Sequence, residues 1–116
     1  MSLKIFHNPR CSKSRQALEL LRDRGVEPEI QEYLKTPPSE AELDRLLTLL
    51  GMEPRQLMRI KEPEYKELGL DDASLSRQQL IRAMVEHPRL IERPIVVKDD
   101  RTAALGRPPE AVLELF

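Results

Sequence analysis

At 116 residues the chain is the size of one domain, and Lys+Arg 19 against Asp+Glu 20 leave a formal net charge of -1, so no overall basicity recruits nucleic acid or an anionic membrane surface. A single cysteine excludes an internal disulfide, and no stretch approaches the ~18 apolar residues that a membrane-spanning helix requires. The opening MSLKIFHNPR lacks the apolar run of a signal peptide, so the expected compartment is a reducing cytoplasm and the expected state a monomer.

Leu3-Lys4-Ile5-Phe6-His7 reads as a short strand closed by the turn signal Asn8-Pro9. Ala17, Leu18, Leu20 and Leu21 then recur with helical spacing, and Gly25 stands where a left-handed residue ends a helix, so Cys11 falls on a strand-to-helix turn. Residues 29 to 34 alternate as a half-buried strand, and a βαβ unit of this length predicts a parallel pair with a right-handed crossover. Ser39 and Glu42 form a capping-box pattern ahead of Leu43, Leu46, Leu47 and Leu50, with Gly51 as the stop. Short helical pieces follow around 54 to 59 and 65 to 68. Ser76 and Gln79 repeat the capping device before Leu80, Ile81, Met84 and Val85, and that helix ends near His87-Pro88.

The last third returns to strand. Ile95-Val96-Val97 is β-branched, Asp99-Asp100 can turn the chain, and Thr102 to Leu105 can pair back as a hairpin. Pro108-Pro109 then suits the start of a helix carrying Ala111, Val112, Leu113 and Leu115. The order βαβ, helices, ββα is that of an α/β thioredoxin-like fold: a mixed four-stranded sheet within one domain over 1–116, with a helical insertion at about 39–90.

The chemistry concentrates in FHNPRCSKSR, residues 6 to 15. A cysteine kept for packing sits among apolar neighbours, whereas Arg10, Ser12, Lys13, Ser14 and Arg15 surround Cys11. That setting favours a reactive thiolate over a small residue in a tight turn. The positive end of the following helix and the nearby cations stabilise such an anion, and the same features bind an oxyanion. His7 has two readings, a cationic or hydrogen-bonding aid to the thiolate or the buried end of a strand satisfied by a carbonyl. Ser14 can donate to the thiolate or an oxyanion, although a helix cap is the better assignment for a first-turn serine. Arg15 fits either the anion loop or a solvated helix face.

Two familiar thiol motifs are absent: Ser14 stands where CxxC needs its second cysteine, and Ala17 where a C-x5-R phosphatase loop needs arginine. A reduction takes two electrons and hence two thiols, so the second must come from outside. His7 and Cys11 are too few ligands for zinc, and no metal is expected.

The opening FHNPRCSKSR, the segment YLKTPPSEAEL, the run LMRIKEPEYKELGL and the close ERPIVV followed by GRPPEAVLE carry a specific resemblance. By these motifs the chain closely resembles, from end to end, the glutaredoxin-coupled arsenate reductases, and within them a short bacterial branch. The resemblance implies that Cys11 is the nucleophile and that Arg59, Arg93 and Arg107 hold the arsenic oxyanion. It places His7 near the thiolate, Ser14 and Arg15 at the oxyanion loop, and makes Pro94 a cis-proline facing Cys11. The activity it implies is reduction of arsenate to arsenite, with glutathione as co-substrate, glutaredoxin as partner and no bound cofactor. Two alternatives stand beside it. One is a glutathione-dependent thiol-disulfide oxidoreductase whose arginines grip glutathione carboxylates. The other is a non-enzymatic Spx-like regulator that binds RNA polymerase, though the missing CxxC argues against sensing by a disulfide.

Overall fold

In the computed structural model, which describes residues 2–116, strand β1 (Leu3–His7) leads into helix α1 (Ser12–Asp23) and strand β2 (Glu29–Glu32). β1 and β2 are parallel, with Ile5 opposite Ile30 and His7 opposite Glu32. After a helical insertion come β3 (Ile95–Lys98) and β4 (Thr102–Leu105), each antiparallel to its neighbour, and the sheet order is β2-β1-β3-β4. This is the mixed four-stranded sheet of a thioredoxin-like fold.

The chain divides into two compact units, one built from the segments up to Thr36 and from Arg93 to Phe116, the other from Pro37–Glu92. In the first, period-2 alternation sends Leu3, Ile5 and His7 to one face of β1 and Phe6 to the other. Leu3, Ile5 and Val96 pack with Ala17, Leu18 and Leu21 of α1 and with Val112. The inward stripe of α1 also includes Ser14, which is fully buried, so the spacing is i, i+3, i+4, i+7 from that serine onward. Gly25, at φ 75°, ends the helix: its N–H donates to the carbonyl of Arg22, and that of Val26 to Leu21.

The hairpin between β3 and β4 turns on Asp99 and Asp100, both left-handed at φ 53° and 58°; the Arg101 N–H donates to the Lys98 carbonyl, and the three residues 99 to 101 separate the last pair, Lys98 and Thr102. Asp99 Oδ1 accepts from the Ser2 N–H. Two expectations change. β2 stops at Glu32 rather than running to residue 34, because the Glu32 carbonyl accepts the N–H groups of Lys35 and Thr36 and folds the chain into a turn. The C-terminal helix, Pro109–Leu115, has 3-10 rather than α geometry. Pro109 and Val112 are its buried residues, and Leu115 packs partly against the same core.

The second unit contains α2 (Glu40–Leu50), α3 (Pro54–Leu57), α4 (Pro63–Glu67), α5 (Arg77–Glu86) and a 3-10 turn, Pro88–Leu90. Both expected caps form: Ser39 accepts from the Glu42 N–H, and Ser76 makes a reciprocal capping box with Gln79. Gly51, at φ 66°, stops α2. Leu43, Leu46 and Leu47 of α2 and Leu80, Ile81 and Met84 of α5 are buried, and the two helices pack together. A bridge between Met58 and Ile91 ties the residue after α3 to the end of this unit.

Candidate active site

Cys11 is the N-cap of α1, in extended backbone conformation, and its N–H donates to the carbonyl of Asn8 at 3.0 Å. The residues that follow therefore turn their first N–H groups toward the sulfur, where no intrahelical carbonyl can meet them. Burial pushes the Cys11 thiol up, but the backbone N–H of Ser14, the charge and a side-chain hydrogen bond of Arg93, and the Lys13 N–H together outweigh it. The net result is a thiol held below its ordinary value.

His7 ends β1 on the face that meets α1, and its Nδ1 lies 2.7 Å from the Oγ of buried Ser14. The same hydroxyl accepts from the Asn8 N–H at 3.1 Å. Ser14 is thus not a cap of its own helix, as the position in the first turn suggests, but a tie between strand end, loop and helix. Burial lowers the His7 pKa, as do Arg22 and Arg15, while Glu32 opposes them and does not prevail. The downward shift favours the neutral imidazole, which makes His7 a hydrogen-bonding partner of Ser14 rather than a cationic aid to the thiolate.

Arg15 is exposed, and its Nη1 donates to the Pro9 carbonyl at 2.9 Å, so it braces the loop that carries Cys11. Asn8 does more than mark a turn: its Oδ1 accepts from the Arg10 N–H, its carbonyl from Cys11 and its own N–H serves Ser14. The sequence signal for this was the Asn-Pro pair, which says turn but not which groups the asparagine ties.

The hairpin brings two further arginines together. The Arg93–Pro94 and Arg107–Pro108 peptides are both cis, the second unforeseen from the sequence. Arg107 Nε donates to the Arg93 carbonyl at 2.9 Å, and the Gly106 N–H donates to the Pro94 carbonyl at 2.8 Å. His7, Cys11, Ser14, Arg15, Arg93, Pro94 and Arg107 thus all belong to the first unit. Arg59 belongs to the second, where its Nη1 is 3.1 Å from Glu62 and its Nε 3.3 Å from Glu92. Its N–H donates to the Leu90 carbonyl at 2.7 Å.

A thiolate at a helix N-terminus with a guanidinium beside it is suited to attack on an electrophile bound as an anion. Comparison with known proteins agrees with this chemistry. The model of the ArsC family matches residues 6–115. An arsenate reductase of Haemophilus influenzae is 49% identical over the full length of both chains. The uncharacterized protein YfgD of Escherichia coli is 59% identical over 97% of this chain and 95% of its own. The solved structure of an arsenate reductase from Vibrio cholerae superposes with a TM-score of 0.96 at 55% identity, covering 100% of this chain and 98% of that one.

Proposed function

The chain belongs to the ArsC family, and we propose that it reduces arsenate to arsenite with the Cys11 thiolate as nucleophile. The observation that carries the reading is the thiol itself, held toward its anion by the first-turn N–H groups of α1 and by Arg93. Relatives named arsenate reductase, about half identical over their whole length, support the choice of substrate.

In the first step the sulfur lone pair forms an S–As bond at arsenic(V), and a protonated arsenate oxygen leaves as water. Arg93 and Arg107 offset negative charge on the remaining oxygens with planar, permanently charged donors. The assignment of Arg59 to the same anion rests on its sequence match. A second thiol then attacks the Cys11 sulfur. The S–As bond breaks, its electron pair passes to arsenic, and arsenite departs as arsenic(III), leaving a mixed disulfide on Cys11. Glutathione is the second thiol in this scheme, and glutaredoxin takes the glutathionyl group from Cys11. One cysteine in the chain makes an external reductant necessary, since two electrons come from two thiols.

A reducing cytoplasm suits a mechanism that needs an unbridged thiol. Among the described residues no helix is long and apolar enough to cross a membrane. Purified protein assayed with arsenate, glutathione and glutaredoxin, beside the Cys11→Ser variant, tests the proposal. Arsenite formation by wild type and none by the variant is the expected result; equal rates would overturn it.

A further inference from the structure

The ladder between β3 and β4 pairs Ile95 with Leu105. Continued outward by the same register, the next pairs are Pro94 with Gly106 and Arg93 with Arg107. Both pairs are joined: the Gly106 N–H donates to the Pro94 carbonyl at 2.8 Å, and Arg107 Nε to the Arg93 carbonyl at 2.9 Å. The two arginine-bearing segments therefore extend the hairpin past the end of its strands.

At Gly106 the two segments lie in close contact. A Cβ built on it would lie 2.6 Å from Pro94 Cγ, 3.1 Å from Pro94 Cδ and 3.3 Å from Val112 Cγ1. Contacts under about 3 Å are repulsive for carbon atoms, whose favourable separation is roughly 3.5–4.0 Å. The proline ring cannot swing aside as a flexible side chain would, because ring closure fixes it to the backbone. Room for a methyl group at this position has to come from moving the two segments apart. Here the value of glycine lies in absent bulk, since its φ is outside the left-handed region.

We propose that Gly106 is a positioning residue: by lying flat on Pro94 it sets the distance between the Arg93 and Arg107 segments and so aims Arg93 at Cys11. The chain of contact runs from Gly106 to the Pro94 ring, to the adjoining Arg93, and to the thiol whose anion Arg93 favours. It deepens the proposed function by naming what positions two of its arginines, and it rests on that reading only for its consequence in arsenate turnover. Its geometric core, the coupling of Gly106 to the thiol, needs no oxyanion.

The test is the pH midpoint of Cys11 alkylation in Gly106→Ala, measured without arsenate. The expected result is a midpoint raised by about one pH unit, as Arg93 withdraws from the sulfur. Arsenate kcat/KM should also fall about tenfold or more. Leu3→Ala, at the far end of β1, serves as the control for mere destabilisation: its Tm should fall while its midpoint stays at the wild-type value. A folded Gly106→Ala with a wild-type midpoint overturns the inference, whatever its arsenate kinetics. A raised midpoint without loss of arsenate turnover upholds the positioning of Arg93 and counts against the oxyanion role of the arginines.

Pro94→Ala removes Cγ and Cδ, the two nearest of the atoms that the new methyl would meet. In that background, adding Gly106→Ala should leave the midpoint nearly where Pro94→Ala alone puts it. The same full shift in both backgrounds overturns the inference. If Gly106→Ala by itself does not fold, the double variant decides: its folding supports the steric lock, and its failure beside a folded Pro94→Ala refutes it.

Discussion

The Nδ1 of His7 and the Oγ of Ser14 lie 2.7 Å apart in a buried contact that ties the end of β1 to the first turn of α1. Because the Asn8 N–H donates to the same hydroxyl, one serine fixes the strand end, the loop and the helix that presents Cys11. Removing it leaves two polar groups without that partner, one of them the backbone donor of the loop. Ser14→Ala should cost about 1–3 kcal/mol of stability, the usual penalty for stranding buried hydrogen-bonding groups. Denaturant titration reads this directly, and a change below about 0.5 kcal/mol would contradict the role given to the serine.

His7 should make the protein acid-sensitive. Its folded pKa is lowered by burial, so the unfolded chain takes up the proton more readily. The associated stability is complete above the unfolded value of roughly 6.5 and is lost as pH falls through the lower folded value. Tm followed from neutral pH downward should drop more steeply in wild type than in His7→Gln, which has no such proton to gain. Parallel curves would show that the imidazole is not the group responsible.

The thiol has the same sign of linkage at higher pH. Its folded pKa lies below the unfolded value, so its contribution is complete above ~8.5 and is lost as pH falls through the folded midpoint. The stability difference between wild type and Cys11→Ser should therefore grow as pH rises across that interval. Alkylation should show a midpoint below that of an ordinary cysteine, raised in Arg93→Ala but little changed in His7→Gln. A large rise in His7→Gln would restore the imidazole as the principal electrostatic aid.

Much of this arrangement was legible because it follows from local periodicity. β1, β3, β4 and both serine N-caps declare themselves through alternation, a β-branched run and Ser-x-x-Glu/Gln spacing, although only Ser76 and Gln79 complete the reciprocal box. The cysteine's place at a strand-to-helix turn follows from Asn8-Pro9 and the stripe of α1. The stripe starts one turn earlier than its apolar residues suggest, because Ser14 occupies an inward position and spends its hydroxyl on His7 and Asn8. Polarity concealed a position that spacing alone would have assigned. The Arg93–Arg107 contact was illegible for another reason: it depends on hairpin register and on the close approach of Gly106 to Pro94, which no local pattern encodes. The end of β2 was missed because capture of the Glu32 carbonyl is a turn geometry, while Tyr33 and Leu34 continue an alternating sequence.

In the inserted unit, Ser76 and Gln79 satisfy two backbone donors at the start of α5. Ser76→Ala should destabilise by about 1 kcal/mol, as loss of an N-cap does. The Cys11 alkylation midpoint should not move, since Ser76 is absent from the groups that set it. A shifted midpoint would show that this cap reaches the thiol.

The arginines provide the sharpest separation of oxyanion chemistry from simple thiol exchange. A hydrogen bond to a charged group contributes roughly 1.5–3 kcal/mol, so Arg107→Ala should lower arsenate kcat/KM by about ten- to a hundredfold. Its Nε donates to the Arg93 carbonyl, so the same planar group that would meet an anion also ties the hairpin. Arg107→Lys retains the charge but cannot serve a carbonyl and an oxyanion from one planar group, so it should recover only part of the loss. On the proposed assignment Arg93→Ala should be more severe, because it would withdraw a donor from the oxyanion and also raise the thiol midpoint. Assaying each variant above the pH at which its thiol is fully ionised removes the second effect. The remaining deficit then reports anion binding, and Arg93→Ala and Arg107→Ala should converge. If Arg93→Ala regained wild-type turnover at high pH, its guanidinium would act on Cys11 alone and the arsenate contact would have to be withdrawn.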